Sequence, residues 1–399
     1  MTLFGTHDQI LAMKFRISTL AALTISCLGF AQWVQAYPDF IGYGYKSCMT
    51  CHYNGAGGGA LNDYGRALFH AEISSRAFFP KSITDERLGE LSGFIPGKDL
   101  GRFRPGLKLR ELYLVKPDNP NRSITMQADA SMAVHLDADQ ENVLMLSFGY
   151  VPRPFGKKSD PDYDEIKTWI SREHYVRLKM SENWWAFGGM MDKAFGIRQV
   201  DHTLFSRGGL GIGQNDQTHG VLLQRVAETN ELFVHLFAGN LFQKSELRHK
   251  GLSLMYEFDP SESARLGVSG MMSQNEYMEW LRMALHGRYS LGKGGAISAE
   301  GGVRNDKSKA TSVKTDTMYG YLQSQLPLTR GYFFLSNLQF VFQNSLSNFP
   351  NDTVLSLGSL MFPAPRTEFR LMAILNRPWK AEGVGEDAWQ YQAQFHLSW

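Results

Sequence analysis

The stretch CMTCH, from Cys48 to His52, holds two thiols and an imidazole within five residues. Thiols one helical turn apart reach two vinyl groups of a single haem, and the histidine that follows directly is aimed at the iron. The plainer alternative is a disulfide between Cys48 and Cys51 in an oxidising compartment. Cys-X-X-Cys followed at once by His is the more specific pattern. We therefore expect Cys48 and Cys51 to carry one covalent haem c, with His52 as the proximal iron ligand.

Haem chemistry depends on what occupies the far face of the ring. Between residues 37 and 106 the other histidine is His70, and the one methionine is Met49. Met49 lies between the two cysteines and cannot cross to the opposite face. His70 is therefore the candidate distal ligand from this region. A histidine from farther along, such as His135, His174 or His286, and an open or water-bound position are the alternatives.

The segment that must position these residues reads as short helices and turns. The run NGAGGGA, Asn54 to Ala60, is either a plain loop or a place where backbone passes close to a planar cofactor. Asn62 is a suitable N-cap for a helix running through LNDYGRALFHAEI, whose Leu61, Tyr64, Leu68 and Ile73 are candidates to cover a haem face. A second short helix is expected after Thr84, ending near Gly93.

Upstream, MKFR from Met13 and the apolar ISTLAALTISCLGFA precede the small-residue site VQA, Val34 to Ala36. This is the pattern of an export signal over residues 1–36, with residues 1–12 an upstream extension. The apolar core is shorter than the ~20 residues that cross a bilayer, and the residues before Cys27 make a poor lipidation site. Removal of the signal leaves Cys48 and Cys51 as the mature chain's cysteines.

From Leu107 to the C-terminus the pattern changes to period two. We expect about sixteen strands, centred near residues 111, 129, 147, 175, 187, 224, 236, 254, 268, 284, 299, 321, 338, 356, 371 and 393. Leu281, Met283 and Leu285 alternate with Arg282, His286 and Arg288, and Ile124 to Leu136 alternates with Thr125, Gln127, Asp129, Ser131 and His135. Apolar-out and polar-in at this spacing suits a membrane barrel with a wet lumen. Tight connections (SEN, ETN, DPSE, PLTR) and long ones (Pro152 to Lys167, Lys193 to Thr218, Lys307 to Lys314) also alternate. A soluble sandwich would share the alternation. The chain has 399 residues, 13% aromatic, with formal net charge +2, which offers no electrostatic case for nucleic acid.

The ending WQYQAQFHLSW resembles the C-terminal assembly signal of bacterial outer-membrane proteins, with Trp399 where Phe is usual. Together with the export signal, CMTCH and LNDYGRAL, the whole resembles fused monohaem cytochrome–porins of the bacterial outer membrane, of which iron oxidases are the best-known type. The resemblance is specific over Cys48 to Leu68 and architectural beyond it. It implies a small α-helical cytochrome c-like domain or plug over 37–106 and an outer-membrane β-barrel over 107–399. It also implies electron exchange with a periplasmic cytochrome or other carrier and with an extracellular partner or metal. A solute porin with a haem-bearing plug or redox gate is the alternative, and a haem enzyme with an open iron site ranks last for want of a distal base. Asp129, Arg282, Arg288, Glu368 and Arg370 are expected in the lumen, compensating haem propionates, lining a water path or simply solvated.

Overall fold

The structure, a computed structural model, describes residues 38–92, 101–117, 119–150, 169–199, 201, 203–343, 351–380 and 383–398. The expected export signal, the connection Pro152 to Lys167 and Trp399 lie outside the described residues.

Eighteen strands run through the described residues. The first six are β1 (Phe103–Lys116), β2 (Asn119–His135), β3 (Val143–Tyr150), β4 (Trp169–Ile170), β5 (His174–Ser181) and β6 (Trp184–Met191). Next come β7 (Thr218–Val226), β8 (Asn230–Gly239), β9 (Lys250–Ser261), β10 (Ala264–Gln274), β11 (Met278–Gly292) and β12 (Gly295–Ser308). The last are β13 (Lys314–Thr329), β14 (Tyr332–Gln343), β15 (Asn351–Met361), β16 (Thr367–Lys380), β17 (Gly383–Val384) and β18 (Ala388–Ser398). Strands β4 and β17 are two-residue additions on β3 and β16, and the sixteen others pair antiparallel with their chain neighbours. Pairing of β1 with β18, from Lys108 opposite Ser398 to Val115 opposite Tyr391, closes the ring. A closed ring excludes the sandwich and leaves no edge strand. Each of the sixteen expected centres falls within one long strand.

The alternation has the direction that a lipid-facing barrel needs. On β11, Leu285 is 69% exposed while Arg282, three residues earlier, is 1% exposed and turned into the lumen. Asp129, Arg288, Glu368 and Arg370 are likewise buried among lumen-facing groups. Connections differ by end. Glu182–Asn183, Glu262–Ser263, Lys293–Gly294 and Arg330–Gly331 each form a whole turn at one end, whereas 192–217 and 240–249 join strands at the other. Lys293 and Gly294 both have positive φ (44° and 89°), as a tight hairpin turn between right-twisted strands requires.

Of the small helical domain that the resemblance implies, the described residues show little helix. The described N-terminal residues hold only a helix Asp63–Leu68 prolonged by a π turn Phe69–Ile73, a helix Asp85–Ser92, and 3-10 turns at Pro38–Tyr43 and Cys48–Thr50. Their apolar side chains have no core of their own. Phe69 and Ile73 pack on Phe333, Leu335 and Phe362, and Tyr53, Ala56 and Ala60 on Met145, Tyr175 and Phe187. The segment is a plug that enters through the short-turn end. Gly42 abuts Gly294 so closely that a Cβ would lie 2.6 Å from the Gly294 Cα. Lys46 reaches the Ser261 carbonyl (3.1 Å), and Arg104 clasps Asp63 with two parallel bonds (2.7 and 2.8 Å). Strand β1 accordingly starts at Phe103, ahead of the expected boundary at 107.

From the opposite end the 192–217 connection folds inward. Ile197 N–H donates to Glu300 (2.7 Å), Phe205 N–H to Gln339 (2.9 Å), and Gln214 to the Met126 carbonyl (3.2 Å). Plug and inward loop meet inside the barrel.

Candidate cofactor site inside the barrel

The CMTCH residues sit where plug, loop and wall converge. Cys48 to Thr50 form one 3-10 turn, with His52 N–H donating to the Cys48 carbonyl (3.0 Å). The chain returns past it through Gly57, Gly58 and Gly59, all with φ between 64° and 87°. Three consecutive left-handed residues are accessible only to glycine at low cost, and a Cβ on Gly57 would stand 3.1 Å from Cys48 Sγ. The glycine run is thus a tight loop moulded against the first thiol. Asn62 ties this turn to the helix that follows. Its Oδ1 accepts from Gly65 N–H (2.8 Å), capping the helix, while its Nδ2 donates to the carbonyls of Thr50 (3.0 Å) and Met49 (3.2 Å).

Both thiols are free, and both open with His52 onto one cavity of about 310 Å³, a size within the range of cofactor sites. Burial pushes Cys48 up to about 11 and Cys51 up to about 12. Burial, with Lys108 and Arg198 nearby, lowers His52 to about 3. His52 is therefore a neutral imidazole, the ligating form. Its Nδ1 is buried without a hydrogen-bond partner.

Leu61, Phe69, Ile73 and Phe362 give the cavity an apolar wall, and eight Lys or Arg side chains line it against four carboxylates. These residues fit a haem. Two thiols and an imidazole converge on one space, an apolar wall suits the ring, and surplus cations suit its carboxylates.

Of the other expected groups, Asp129 and Arg288 line this cavity, whereas Arg282 pairs with Asp306 (2.6 Å) beside the inward loop. Leu61 and Ile73 line it, but Tyr64 is half exposed and meets the Tyr45 hydroxyl, and Leu68 is buried outside the lining. His70 is placed elsewhere. Its Nδ1 lies 3.2 Å from the Arg66 carbonyl, and its ring faces Gly89, where a Cβ would come within 2.7 Å of Nε2. His135 is bonded to the Tyr53 hydroxyl (2.9 Å), His174 to His219 (3.1 Å) and His286 to Glu257 (3.1 Å).

Several lining residues escaped the sequence reading. Lys108 and Arg110 alternate with Leu107 and Leu109 on β1, so period two marks them as lumen-facing. His396 alternates with Phe395 and Leu397 on the last strand, so period two marks it as lumen-facing as well. Arg198 and Arg207 lie on the inward loop, and no local pattern distinguishes them.

No protein-family model and no curated protein matches this chain. Among solved structures the loop-deleted OmpT outer-membrane protein of Vibrio cholerae superposes with a TM-score of 0.60 at 10% identity, covering 75% of this chain and 100% of its own. The β-region has the porin fold. An anion-selective porin from Comamonas acidovorans gives 0.57 at 12% identity, covering 74% and 99% of the two chains. OmpF from Salmonella typhi, in complex with daunomycin, gives 0.55 at 9%, covering 75% and 98%. At these identities the likeness is one of fold. It agrees with the barrel half of the expected cytochrome–porin architecture and does not bear on the haem half.

Proposed function

We propose that this chain is an outer-membrane protein that carries one covalent haem c inside its barrel. In this reading it passes single electrons between a periplasmic carrier and an extracellular partner or metal. The observation that supports the reading most directly is the convergence of Cys48, Cys51 and His52 on one cavity within the lumen. A bound haem supplies a one-electron couple that the side chains themselves lack. Cys48 and Cys51 fix it by thioether bonds against loss from an exported protein, and His52 binds the iron. Lys108, Arg110 and Arg198 offset its negative carboxylates, while the barrel wall keeps lipid away. The outward apolar belt and short-turn end support an outer-membrane placement with the plug on the periplasmic side.

The primary test is covalent haem staining of the full-length protein on a denaturing gel. Wild type is expected to stain, with Cys48→Ala and Cys51→Ala losing most or all of the signal. Full staining of Cys48→Ala, or none of wild type, would overturn the haem assignment. Vesicles enclosing a redox dye then test transfer, which should require the haem.

A second reading, a solute porin gated by its haem-bearing plug, draws on the porin fold. Conductance in planar bilayers separates the two: a plugged conduit passes little current, and a wide open pore favours the porin.

A further inference from the structure

We propose that His396 on β18 is the second axial ligand of the iron, opposite His52, and that Glu368 on β16 positions it. The inference rests on the haem reading above. Among the described residues, His52 and His396 are the histidines that line the cavity onto which Cys48 and Cys51 open.

The sheet itself sets the orientation of His396. Glu368 and His396 are direct partners in the register of β16 and β18, and His396 Nδ1 lies 3.0 Å from Glu368 Oε2. Nδ1–H is the donor in that bond, so Nε2 carries the free lone pair. That Nε2 is buried and has no hydrogen-bond partner, a costly arrangement unless something else binds it. A carboxylate on one ring nitrogen fixes the tautomer and raises the basicity of the other, the usual second partner of a metal-bound histidine. Strand β1 links the two imidazoles. Lys108 pairs with Ser398, Arg110 pairs with His396, and Lys108 Nζ bonds the Gly59 carbonyl in the loop returning from His52.

The competing donors are less suited. His70 is wedged on Gly89, and His135, His174 and His286 are hydrogen-bonded elsewhere. Met145 and Met255 also line the cavity, but both belong to the apolar cluster around Phe233.

The test uses full-length protein with covalent haem, read by visible and electron paramagnetic resonance spectra of the ferric form. Wild type should be low-spin with two imidazoles. His396→Ala should keep its covalent haem, lose the low-spin signal and regain it on addition of imidazole, a rescue that also reports intact folding. Glu368→Gln should stay low-spin with a raised midpoint potential, and His70→Ala should match wild type. An unchanged low-spin spectrum in His396→Ala would overturn the proposal. So would loss of that spectrum in His70→Ala, or the long-wavelength charge-transfer band of a thioether ligand in wild type. Absence of covalent haem from wild type is a different result: it removes the haem reading, and this assignment with it.

Discussion

Arg330 should be the residue whose loss most selectively loosens the plug. It sits in the two-residue turn between β13 and β14, and its guanidinium crosses to the plug at three points. Nε donates to the Ser74 carbonyl (2.9 Å), and Nη2 to the His70 carbonyl (2.8 Å) and to Asp85 (3.0 Å). Charge-assisted hydrogen bonds contribute about 1.5–3 kcal/mol each when shielded. Here the side chains of Arg330 and Asp85 are about one-third exposed, which places the two carbonyl bonds near the low end and makes the ion pair worth about 0–1 kcal/mol. Arg330→Ala should therefore weaken docking by about 3–4 kcal/mol, a factor of about 150–900 in the docked-to-loosened ratio. Hydrogen exchange read by mass spectrometry on the folded barrel measures this directly. Amides of Asp63–Ile73 and Asp85–Ser92 should lose protection by that factor while β13 and β14 keep theirs. Unchanged protection would refute the assigned contribution. Equal loss in plug and strands would show that Arg330 holds the turn rather than the plug.

Arg265, 3% exposed at its side chain, bonds Glu231 (3.0 Å), Glu257 (2.9 Å) and Asp259 (3.4 Å) inside the lumen. Arg265→Met removes the cation paired with buried Glu231, while Glu257 keeps Arg288 and His286 and Asp259 keeps Lys46. It should cost about 3 kcal/mol, seen as a lower urea midpoint in detergent. An unaltered midpoint would contradict this. Leu285→Arg, near the middle of β11, should cost about 2–4 kcal/mol of folding free energy in a lipid bilayer, and no cost would argue against a lipid-facing surface there. The isolated haem-free segment 37–106 should show no cooperative helical melt by circular dichroism. Its described helical runs, Asp63–Ile73 with the π turn included and Asp85–Ser92, span eleven and eight residues, below the ~12–15 at which isolated helices become marginal.

The barrel was legible because its rule is local. A lipid-facing position next to a lumen-facing one imposes period two along every strand, and turn residues mark the ends. Strands β4 and β17 were invisible because two residues carry no period. The start of β1 was read late because Pro105 and Gly106 look like a break. In the strand, Pro105 faces Met132, its carbonyl accepts from Arg66 (2.7 Å), and Arg104 faces inward onto Asp63. The cap at Asn62 was legible because its signal spans a few residues; CMTCH is as local, and the structure opens its two thiols and His52 onto one cavity. What local pattern could not show is that the plug's apolar residues have the barrel wall as their core. Nor could it pair Glu368 with His396, twenty-eight positions apart, because that requires the register of two strands.

The same register bears on the choice between conduit and pore. The plug bonds β1 through Asp63, β2 through Tyr53, β9 through Lys46, the β11–β12 turn through Gly42, the β13–β14 turn through Arg330, and Phe362 beyond β15 through Ser75 N–H (2.8 Å). These contacts are spread around the ring rather than gathered on one side, as a hinged gate would need. Swinging the plug aside breaks them together, and it leaves Tyr53, Phe69 and Ile73 without the wall that buries them. Full burial of one such side chain contributes about 1.5–3 kcal/mol, so opening opposes several such terms at once. A barrel built this way holds its interior in place, which argues against a plug that opens and closes as a gate.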